Sequence, residues 1–265
     1  MRLIWITDIH LNFLESKGIE NLLCSILNQK PDALLIGGDI GDANTVVSYL
    51  TLMESRLSIP IYFVLGNHDY YHGSIEDVQK EIRSLENKSN LLNWLDDRGL
   101  VELTSDCCLF GHGGWGDGRS GDYWGSEVAL NDFFLIWEQT NISKKELLDR
   151  LNARGDEAAV FVRKVLLLAL KDYKQIFFLT HVPPFWKSAW YKGQPSDKDF
   201  APFFVCKAVG DALFALMKSY PDKQLIVLCG HTHGDGMIDL LPNLSVYTGG
   251  ARYKYPSIQK IFEIG

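Results

Sequence analysis

Long apolar runs are scarce in this chain of 265 residues. No segment approaches the roughly 20 consecutive apolar residues of a membrane span. Near the N-terminus, an apolar run meets Asp8 too soon to form the core of a signal peptide. We therefore expect a cytoplasmic protein that does not associate with a membrane.

Paired cysteines are also absent. The five cysteines are odd in number, and none stands in the CxxC spacing of a zinc knuckle or a redox motif. Buried free thiols are the simpler interpretation, and they indicate a reducing compartment. The cysteines are Cys24, Cys107, Cys108, Cys206 and Cys229.

Basic residues are fewer than acidic residues: the chain has 26 basic and 33 acidic side chains and a net charge of -7. The electrostatic footprint of a nucleic-acid binder is missing, so we expect no stable nucleic-acid binding. The chain is 46% hydrophobic, which is enough for a large core. We expect a single domain spanning residues 1–265.

Buried strands and amphipathic helices alternate in the first third of the chain. Strands are predicted at residues 3–7, 33–36 and 61–65, and helices at residues 19–28 and 45–57. This order is typical of α/β proteins, whose ligands collect beyond the carboxyl ends of the strands. Asp8, Asp39 and Asn67 all stand at those ends.

The rest of the chain is less regular. A glycine- and aromatic-rich loop is predicted at residues 111–125, and residues 143–172 read as one broken helix or two consecutive helices with Ser143 as the N-cap. We expect cap-like loops around residues 112–140 and 182–204. Further strands are predicted at 100–104, 107–111, 175–180, 225–229, 237–240, 244–247 and 258–262, and a helix at 205–220.

Five strand ends carry side chains that suit metal binding: Asp8-Ile9-His10, Gly38-Asp39-Ile40-Gly41-Asp42, Gly66-Asn67-His68-Asp69, His181 and Gly230-His231-Thr232-His233. Carboxylate, imidazole and carboxamide together favour Mn, Fe, Zn or Ni over calcium or magnesium. A glycine precedes Asp39, Asn67 and His231, and we expect it to let the backbone turn sharply where each strand ends.

This ordered set resembles the calcineurin-like metallophosphoesterase superfamily, whose members carry DxH, GDxxD, GNH[DE], a lone His and GHxH in this order. The resemblance covers residues 8–233, and all five motifs match. It implies a four-layer αββα sandwich of two mixed β-sheets flanked by helices.

The resemblance also implies two metal ions. One is assigned to Asp8, His10, Asp39 and His233, and the other to Asp39, Asn67, His181 and His231. Asp39 would bridge two cations about 3.5 to 4 Å apart, and a metal-bridging hydroxide would attack phosphorus. His68 would act as a general acid or stabilise the phosphoryl oxygens, with Asp42 orienting its ring. We expect Asp69 to cap the following turn.

Departures from individual branches of the superfamily narrow the expected activity. Asp42 stands where purple acid phosphatases carry a tyrosine ligand, and His68 stands where lipid-precursor pyrophosphatases carry arginine. Ala43 and Asn44 replace the arginine-containing continuation of protein phosphatases. A small-molecule or nucleotide phosphate mono- or diester is the expected substrate. A protein phosphatase, a hydrolase of another ester class and a non-catalytic interaction protein on the same fold remain alternatives.

Four side chains outside the motifs are candidates for contact with the substrate. Each belongs to a loop or strand that follows a motif or adjoins the aromatic loops. A packed aromatic cluster under a long loop explains the region around Arg119 about as well, and covering the long helix that precedes it is an equal alternative for Trp186. The candidates are His112, Arg119, Trp186 and Arg252.

Overall fold

A computed structural model describes residues 1–265, in which strands and helices alternate along much of the chain. The strands are β1 (Arg2–Ile6), β2 (Ala33–Ile36), β3 (Ile61–Phe63), β4 (Leu92–Trp94), β5 (Val101–Thr104), β6 (Cys107–Gly111), β7 (Gln175–Leu179), β8 (Trp190–Tyr191), β9 (Gln194–Pro195), β10 (Gln224–Cys229), β11 (Gly236–Leu241), β12 (Leu244–Thr248) and β13 (Lys260–Glu263). The helices are α1 (Ser16–Asn28), α2 (Val46–Leu57), α3 (Ile75–Glu86), α4 (Leu95–Arg98), α5 (Asp132–Leu135), α6 (Lys144–Asp172), α7 (Ala201–Phe204) and α8 (Lys207–Ser219).

Two mixed sheets form the centre of the molecule. The first has the strand order β13-β1-β2-β3-β4, and only β13 runs antiparallel to its neighbour. The second has the order β11-β12-β10-β7-β6-β5, with antiparallel strands at both edges. Helices cover the outer faces, so the predicted four-layer αββα sandwich is confirmed.

Side-chain alternation along the strands creates three hydrophobic layers. On β1, Leu3 and Trp5 point into the layer between the sheets, while Ile4 and Ile6 point outward into the cluster that contains the buried residues of α1 and α2. Strand β7 alternates in the same way, with its outward residues in the cluster that contains the buried residues of α8 and of α6 from Ala158 onward. Because the central strands are buried on both faces, they are continuous apolar runs in the sequence.

Helix α6 is continuous over 29 residues, so the expectation of a broken helix or two helices is wrong. The predicted cap is confirmed, because Ser143 and Glu146 form a reciprocal capping box. Gly155 is an unfavourable residue for a helix, but α6 continues through it. A Cβ there would lie 2.6 Å from the Cβ of Asp117, so the glycine allows the 117 loop to pack closely. Neither α6 nor any other helix is long and apolar enough to cross a bilayer.

Candidate metal centre

The seven predicted ligands lie together at one edge of the sandwich. The loops that follow β1, β2 and β3 of the first sheet supply four of them, and the loops that follow β7 and β10 of the second sheet supply three. Parallel strands bring their carboxyl ends to one edge, which explains how residues distant in sequence meet. The side chains are Asp8, His10, Asp39, Asn67, His181, His231 and His233.

The first group consists of Asp8, His10, Asp39 and His233, whose ligand atoms all lie within 4.8 Å of one another. His10 Nε2 is 3.2 Å from His233 Nε2 and 3.7 Å from Asp39 Oδ2. Asp8 Oδ1 is 3.6 Å from His233 Nε2, and Asp8 Oδ2 accepts a 2.6 Å hydrogen bond from Thr7 Oγ1. The four side chains therefore face one common point.

The second group consists of Asp39, Asn67, His181 and His231. Asn67 Oδ1 lies 3.1 Å from His181 Nε2 and 3.0 Å from His231 Nδ1. His181 Nε2 lies 3.4 Å from Asp39 Oδ1, the oxygen that does not face His10. Asp39 thus presents one carboxylate oxygen to each group, which is the arrangement of a shared ligand.

In the second group, hydrogen bonds fix the orientation of the His181 and His231 rings and of the Asn67 amide. The lone pairs of these three side chains therefore point toward one another. His181 Nδ1 and His231 Nε2 each face a backbone carbonyl oxygen, at 2.8 and 3.1 Å, and must donate to it. The amide nitrogen of Asn67 donates to Asp132 at 2.8 Å, so its oxygen faces the two rings. Three acceptors converge within 3.2 Å of each other, and a cation satisfies all three at once. The donor set therefore fits a metal ion.

Burial disfavours the charged form of the ionisable groups in this centre. Desolvation raises the pKa of Asp39 to about 7, with Asp8 adding to the shift. Burial and the neighbouring imidazoles lower the pKa values of His10 and His231 well below the usual range. Burial opposes the charged form of His181 and is the largest single influence, but the nearby Asp39, Asp8 and Asp69 carboxylates and the Gly37 carbonyl together outweigh it and raise that pKa.

Backbone strain is concentrated at the same residues. Asp8, His10, Asp39, His231 and His233 have φ angles of 51°, 42°, 53°, 70° and 60°, in the left-handed region that L-residues rarely adopt. Such conformations cost about 1 to 3 kcal/mol each and persist only where the surrounding structure enforces them. These backbone conformations therefore lower the stability of the fold, but they direct the five side chains toward the centre.

The glycines next to the ligands have two different roles. Gly38 has a φ of 90°, so the predicted sharp turn is found there. Gly66 and Gly230 do not have a positive φ. A Cβ on Gly66 would lie 2.1 Å from Asp39 Oδ1, and one on Gly230 would lie 1.9 Å from Asp8 Oδ2. At these two positions glycine is needed for the close approach of a carboxylate, which corrects the sequence-based explanation.

His68 lies beside the centre, but Asp42 does not orient it. His68 Nε2 is 3.9 Å from Asp39 Oδ2, and its ring stacks on Tyr71 with centroids 4.2 Å apart. Asp42 Oδ1 instead accepts hydrogen bonds from Thr45 Oγ1 and the Asn44 N–H, at 2.7 and 3.1 Å, before the start of α2. No hydrogen bond or ion pair joins Asp42 to His68. Burial lowers the pKa of His68 to about 4, with the charge of Asp132 opposing the shift.

Asp69 does not cap the turn that follows it. Its buried carboxylate accepts hydrogen bonds from the N–H groups of Ile40, Gly41 and Gly66, at 2.8, 2.8 and 2.9 Å. Asp69 therefore ties the loop after β2 to the loop after β3, which keeps Asp39 and Asn67 at a fixed separation.

Two of the predicted substrate contacts are used elsewhere in the fold. His112 Nδ1 accepts from the Gly114 N–H at 3.0 Å and lies 3.6 Å from Asp96 Oδ1, in a separate polar cavity. Arg119 forms ion pairs with Asp117 and Asp156, at 3.3 and 2.8 Å, beside α6. Neither side chain lines the cleft at the metal centre.

The other two predicted contacts lie on the surface. Trp186 is exposed, and its indole N–H donates to the carbonyl oxygen of Ser196 at 2.6 Å. The Arg252 guanidinium is held 4.6 Å above the ring of Tyr255. Neither lines the cleft at the metal centre, so the four substrate contacts stay predictions.

A cleft of about 200 Å³ opens onto the metal centre. Its lining contains neither lysine nor arginine, and most of its hydrophobic residues are aromatic. Tyr71 stands four positions after Asn67, so its proximity could have been inferred, whereas Asp132 and Tyr253 lie outside every motif and carry no signal. The lining residues are Asn67, His68, Tyr71, Leu130, Asn131, Asp132, Tyr191, Phe204, His231, Thr232, His233 and Tyr253.

The two mixed sheets carry a cluster of Asp and His side chains at their shared edge, and these side chains could hold a metal ion. The sequence model of a family described as calcineurin-like phosphoesterase matches residues 1–235. The chain therefore belongs to the calcineurin-like phosphoesterase family, and the family and the Asp/His cluster fit a dinuclear metal site.

Curated relatives match short stretches of this chain. An uncharacterized metallophosphoesterase of Campylobacter jejuni is 31% identical over 107 residues, which cover 39% of this chain and 28% of that protein. One from Helicobacter pylori is 37% identical over 90 residues, covering 32% and 24%. A probable cyclic nucleotide phosphodiesterase of Pseudoalteromonas sp. is 36% identical over 83 residues, covering 26% and 31%. The matched part thus spans less than a third of each of these relatives.

Solved structures share the fold at low sequence identity. The phosphopantetheinyl hydrolase of Mycobacterium tuberculosis aligns with a TM-score of 0.67 and 13% identity, covering 96% of this chain and 90% of that one. A dimetal phosphatase of Danio rerio aligns with a TM-score of 0.59 and 12% identity, covering 96% and 88%. At these identities the similarity shows the architecture.

Proposed function

We propose that this protein hydrolyses phosphate esters with two metal ions held by Asp8, His10, Asp39, Asn67, His181, His231 and His233. The observation that carries the proposal is the Asp39 carboxylate, which directs one oxygen to each of two groups of converging lone pairs. Mn, Fe, Zn and Ni all suit this donor set.

Bound metal ions would supply positive charge for the phosphoryl oxygens and lower the pKa of a coordinated water. The chain itself holds the ligands in fixed orientations and excludes bulk water from the base of the cleft. His68 is partly exposed to the cleft beside Asp39, where its ring can contact a phosphoryl or leaving-group oxygen. We assign His68 to that contact, without a role for Asp42.

We assign phosphodiesters, and not monoesters, as the preferred substrates of this cleft. A monoester dianion brings one more negative charge than a diester, and apart from the proposed metal ions the cleft has no lysine or arginine to balance that charge. Asp132 adds a carboxylate to the same wall. Tyr253 lies with its ring 4.7 Å from that of His10 and offers a face for an aromatic leaving group. The name of the Pseudoalteromonas relative is consistent with this preference.

The loops around residues 112–140 and 182–204 serve as the walls of this cleft in our proposal. Leu130 and Asp132 come from the first loop, and Tyr191 and Phe204 come from the second region. Both belong to the single domain of residues 1–265 that we propose.

Kinetic assays on paired aryl substrates test this function. After loading with manganese, the protein is expected to hydrolyse bis(p-nitrophenyl) phosphate with a kcat/KM at least about tenfold above that for p-nitrophenyl phosphate, which corresponds to about 1.4 kcal/mol of transition-state discrimination. A preference for the monoester would overturn the assignment of diesters.

Two variants test the assigned residues against a control. Asp39→Asn is expected to abolish hydrolysis, and His68→Ala is expected to reduce it by about 100-fold or more. Asp42→Asn keeps an acceptor for Thr45 and is expected to retain wild-type activity. Full activity in both Asp39→Asn and His68→Ala would refute a phosphoesterase centre here, and a loss in Asp42→Asn equal to that in His68→Ala would restore the pairing of Asp42 with His68.

A further inference from the structure

The segment of residues 127–137 lies outside the five motifs. Its residues 135–137 form hydrogen bonds with the loop that carries Asn67. The N–H of His72 donates to the carbonyl oxygen of Leu135 at 2.7 Å, and the N–H of Trp137 donates to that of Gly73 at 3.1 Å. These two hydrogen bonds hold α5 beside the loop that follows β3. The carboxylate of Asp132, the first residue of α5, is thereby brought to the metal centre.

The Asp132 carboxylate is buried and bonded to two side chains of the centre. Asp132 Oδ1 accepts from Asn67 Nδ2 at 2.8 Å and from the Tyr71 hydroxyl at 2.6 Å. Only 4% of Asp132 is exposed, so water does not compete for these bonds. The Asp132 carboxylate accepts through Oδ1 in both bonds, and an amide NH₂ group can only donate. The carboxylate therefore forces the NH₂ group of Asn67 toward itself and the amide oxygen toward His181 and His231.

We propose that Asp132 is a positioning residue that fixes the amide of Asn67 as an oxygen ligand for the second metal ion. This inference rests on the proposed dinuclear centre and adds to it a residue that none of the motifs contains. An amide has a donor face and an acceptor face of nearly equal shape, so an unrestrained Asn67 could present either. The carboxylate removes the wrong orientation before the metal ion arrives.

The same carboxylate also acts on His68 through Tyr71. The Tyr71 ring stacks on His68 with an interplanar angle of 28°, and its hydroxyl is held by Asp132. The hydroxyl also lies 3.2 Å from Asn67 Nδ2, which closes a triangle of three side chains. Loss of Asp132 would free both the metal ligand and the ring that supports His68.

Calorimetric titration of the metal-free protein with Mn²⁺ tests the proposal without an activity assay. The wild type is expected to bind two ions. Asp132→Ala is expected to weaken one of the two sites about 10- to 100-fold and to leave the other unchanged, because loss of an outer-sphere partner typically costs that much affinity. Asp132→Asn keeps an acceptor oxygen and is expected to restore most of the affinity.

Glu127→Ala provides the matched control, since it removes an exposed carboxylate from the same segment. It is expected to bind both ions as the wild type does. If Asp132→Ala does not fold, Asp132→Ser, which keeps a polar group but is too short to reach Asn67, takes its place. The electron paramagnetic resonance spectrum gives a second readout: coupled manganese in the wild type, and uncoupled manganese in the variant at the same concentration.

Two outcomes separate this inference from the proposed function. A wild type that binds fewer than two ions contradicts the dinuclear centre itself. A wild type that binds two ions, together with an Asp132→Ala variant of unchanged affinity at both sites, refutes the role of Asp132 alone.

Discussion

At the scale of single residues, the metal centre contains side chains whose burial and backbone conformation both disfavour folding. Asp8 and Asp39 are carboxylates that are at most 3% exposed, and both have left-handed backbone conformations. Neither property helps the chain to fold, since burial disfavours a charged carboxylate and a positive φ strains the backbone. Local rule-breaking of this kind marks a functional site.

Replacing either close-approach glycine is expected to damage metal binding more than folding. In Gly66→Ala and Gly230→Ala the new methyl group would displace Asp39 and Asp8, respectively. We expect about tenfold or greater loss of manganese affinity in each variant, measured by calorimetry. Gly18→Ala is the control, because its Cβ in α1 would meet only the flexible side chain of Leu14. Equal affinity in all three variants would contradict the packing described for Asp8 and Asp39.

Thiol reactivity is expected to be limited to a single cysteine. Cys24 is exposed, whereas the other four cysteines are buried. Burial raises the pKa of Cys107 to about 11 and those of Cys108, Cys206 and Cys229 to about 12. A thiol reagent near neutral pH should therefore modify one cysteine in the folded protein and five in guanidinium. Rapid modification of a second thiol before unfolding would show that the core opens.

The ligands could be predicted from the sequence because each stands directly after a buried strand, where position along the chain also fixes position in space. Asp132 and Tyr253 could not. They lie in irregular segments, where neither periodicity nor spacing indicates which side chain faces the centre. Asp42 was assigned by resemblance to a role that this chain does not show, because Thr45 engages its carboxylate before α2.

At the scale of elements, the sequence indicates the central strands, which are buried on both faces, but it does not indicate β4, β8 or β9. The boundaries differ by one or two residues, as with β13, which begins at Lys260. Helix α3 was missed although the sequence carries its signal: Ser74 is the N-cap, and the buried residues Ile75, Val78 and Ile82 stand at helical spacing. The continuity of α6 could not be predicted, because a glycine within a helix suggests a break. The reason for Gly155 is its contact with Asp117, which is distant in sequence.

The capping box of α6 is expected to contribute measurably to stability. Ser143→Ala removes the acceptor for the Glu146 N–H and the partner of the Glu146 carboxylate. We expect the free energy of unfolding to fall by about 1 kcal/mol, measured by urea denaturation. Ser55→Ala, which removes an exposed hydroxyl within α2, serves as the control with a smaller effect. Equal effects of the two substitutions would show that the capping box adds nothing beyond a surface hydrogen bond.

At the scale of the whole molecule, the metal centre joins the two sheets. The loops of the first sheet provide four ligands, and those of the second sheet provide three. The four are Asp8, His10, Asp39 and Asn67, and the three are His181, His231 and His233. Each of the two groups of ligands contains residues from both sheets. Metal binding is therefore expected to stabilise the packing of one sheet against the other as well as to support catalysis.

Metal affinity is expected to rise with pH up to about neutrality. In the metal-free protein the pKa of Asp39 is raised to about 7, so below that pH the carboxyl group binds a proton that the metal ion must displace. Above it, no proton remains on Asp39 and its contribution to the pH dependence levels off. Calorimetry about one unit below and one unit above this pKa should show tighter binding and less proton release at the higher pH. Unchanged affinity across this range would contradict the buried, raised pKa of Asp39.

Anomalous diffraction from crystals loaded with manganese tests the central claim most directly. We predict two anomalous peaks about 3.5 to 4 Å apart, one among Asp8, His10 and His233 and the other among Asn67, His181 and His231, with Asp39 between them. A single peak, or peaks away from Asp39, would contradict the shared-carboxylate centre on which the proposed activity depends.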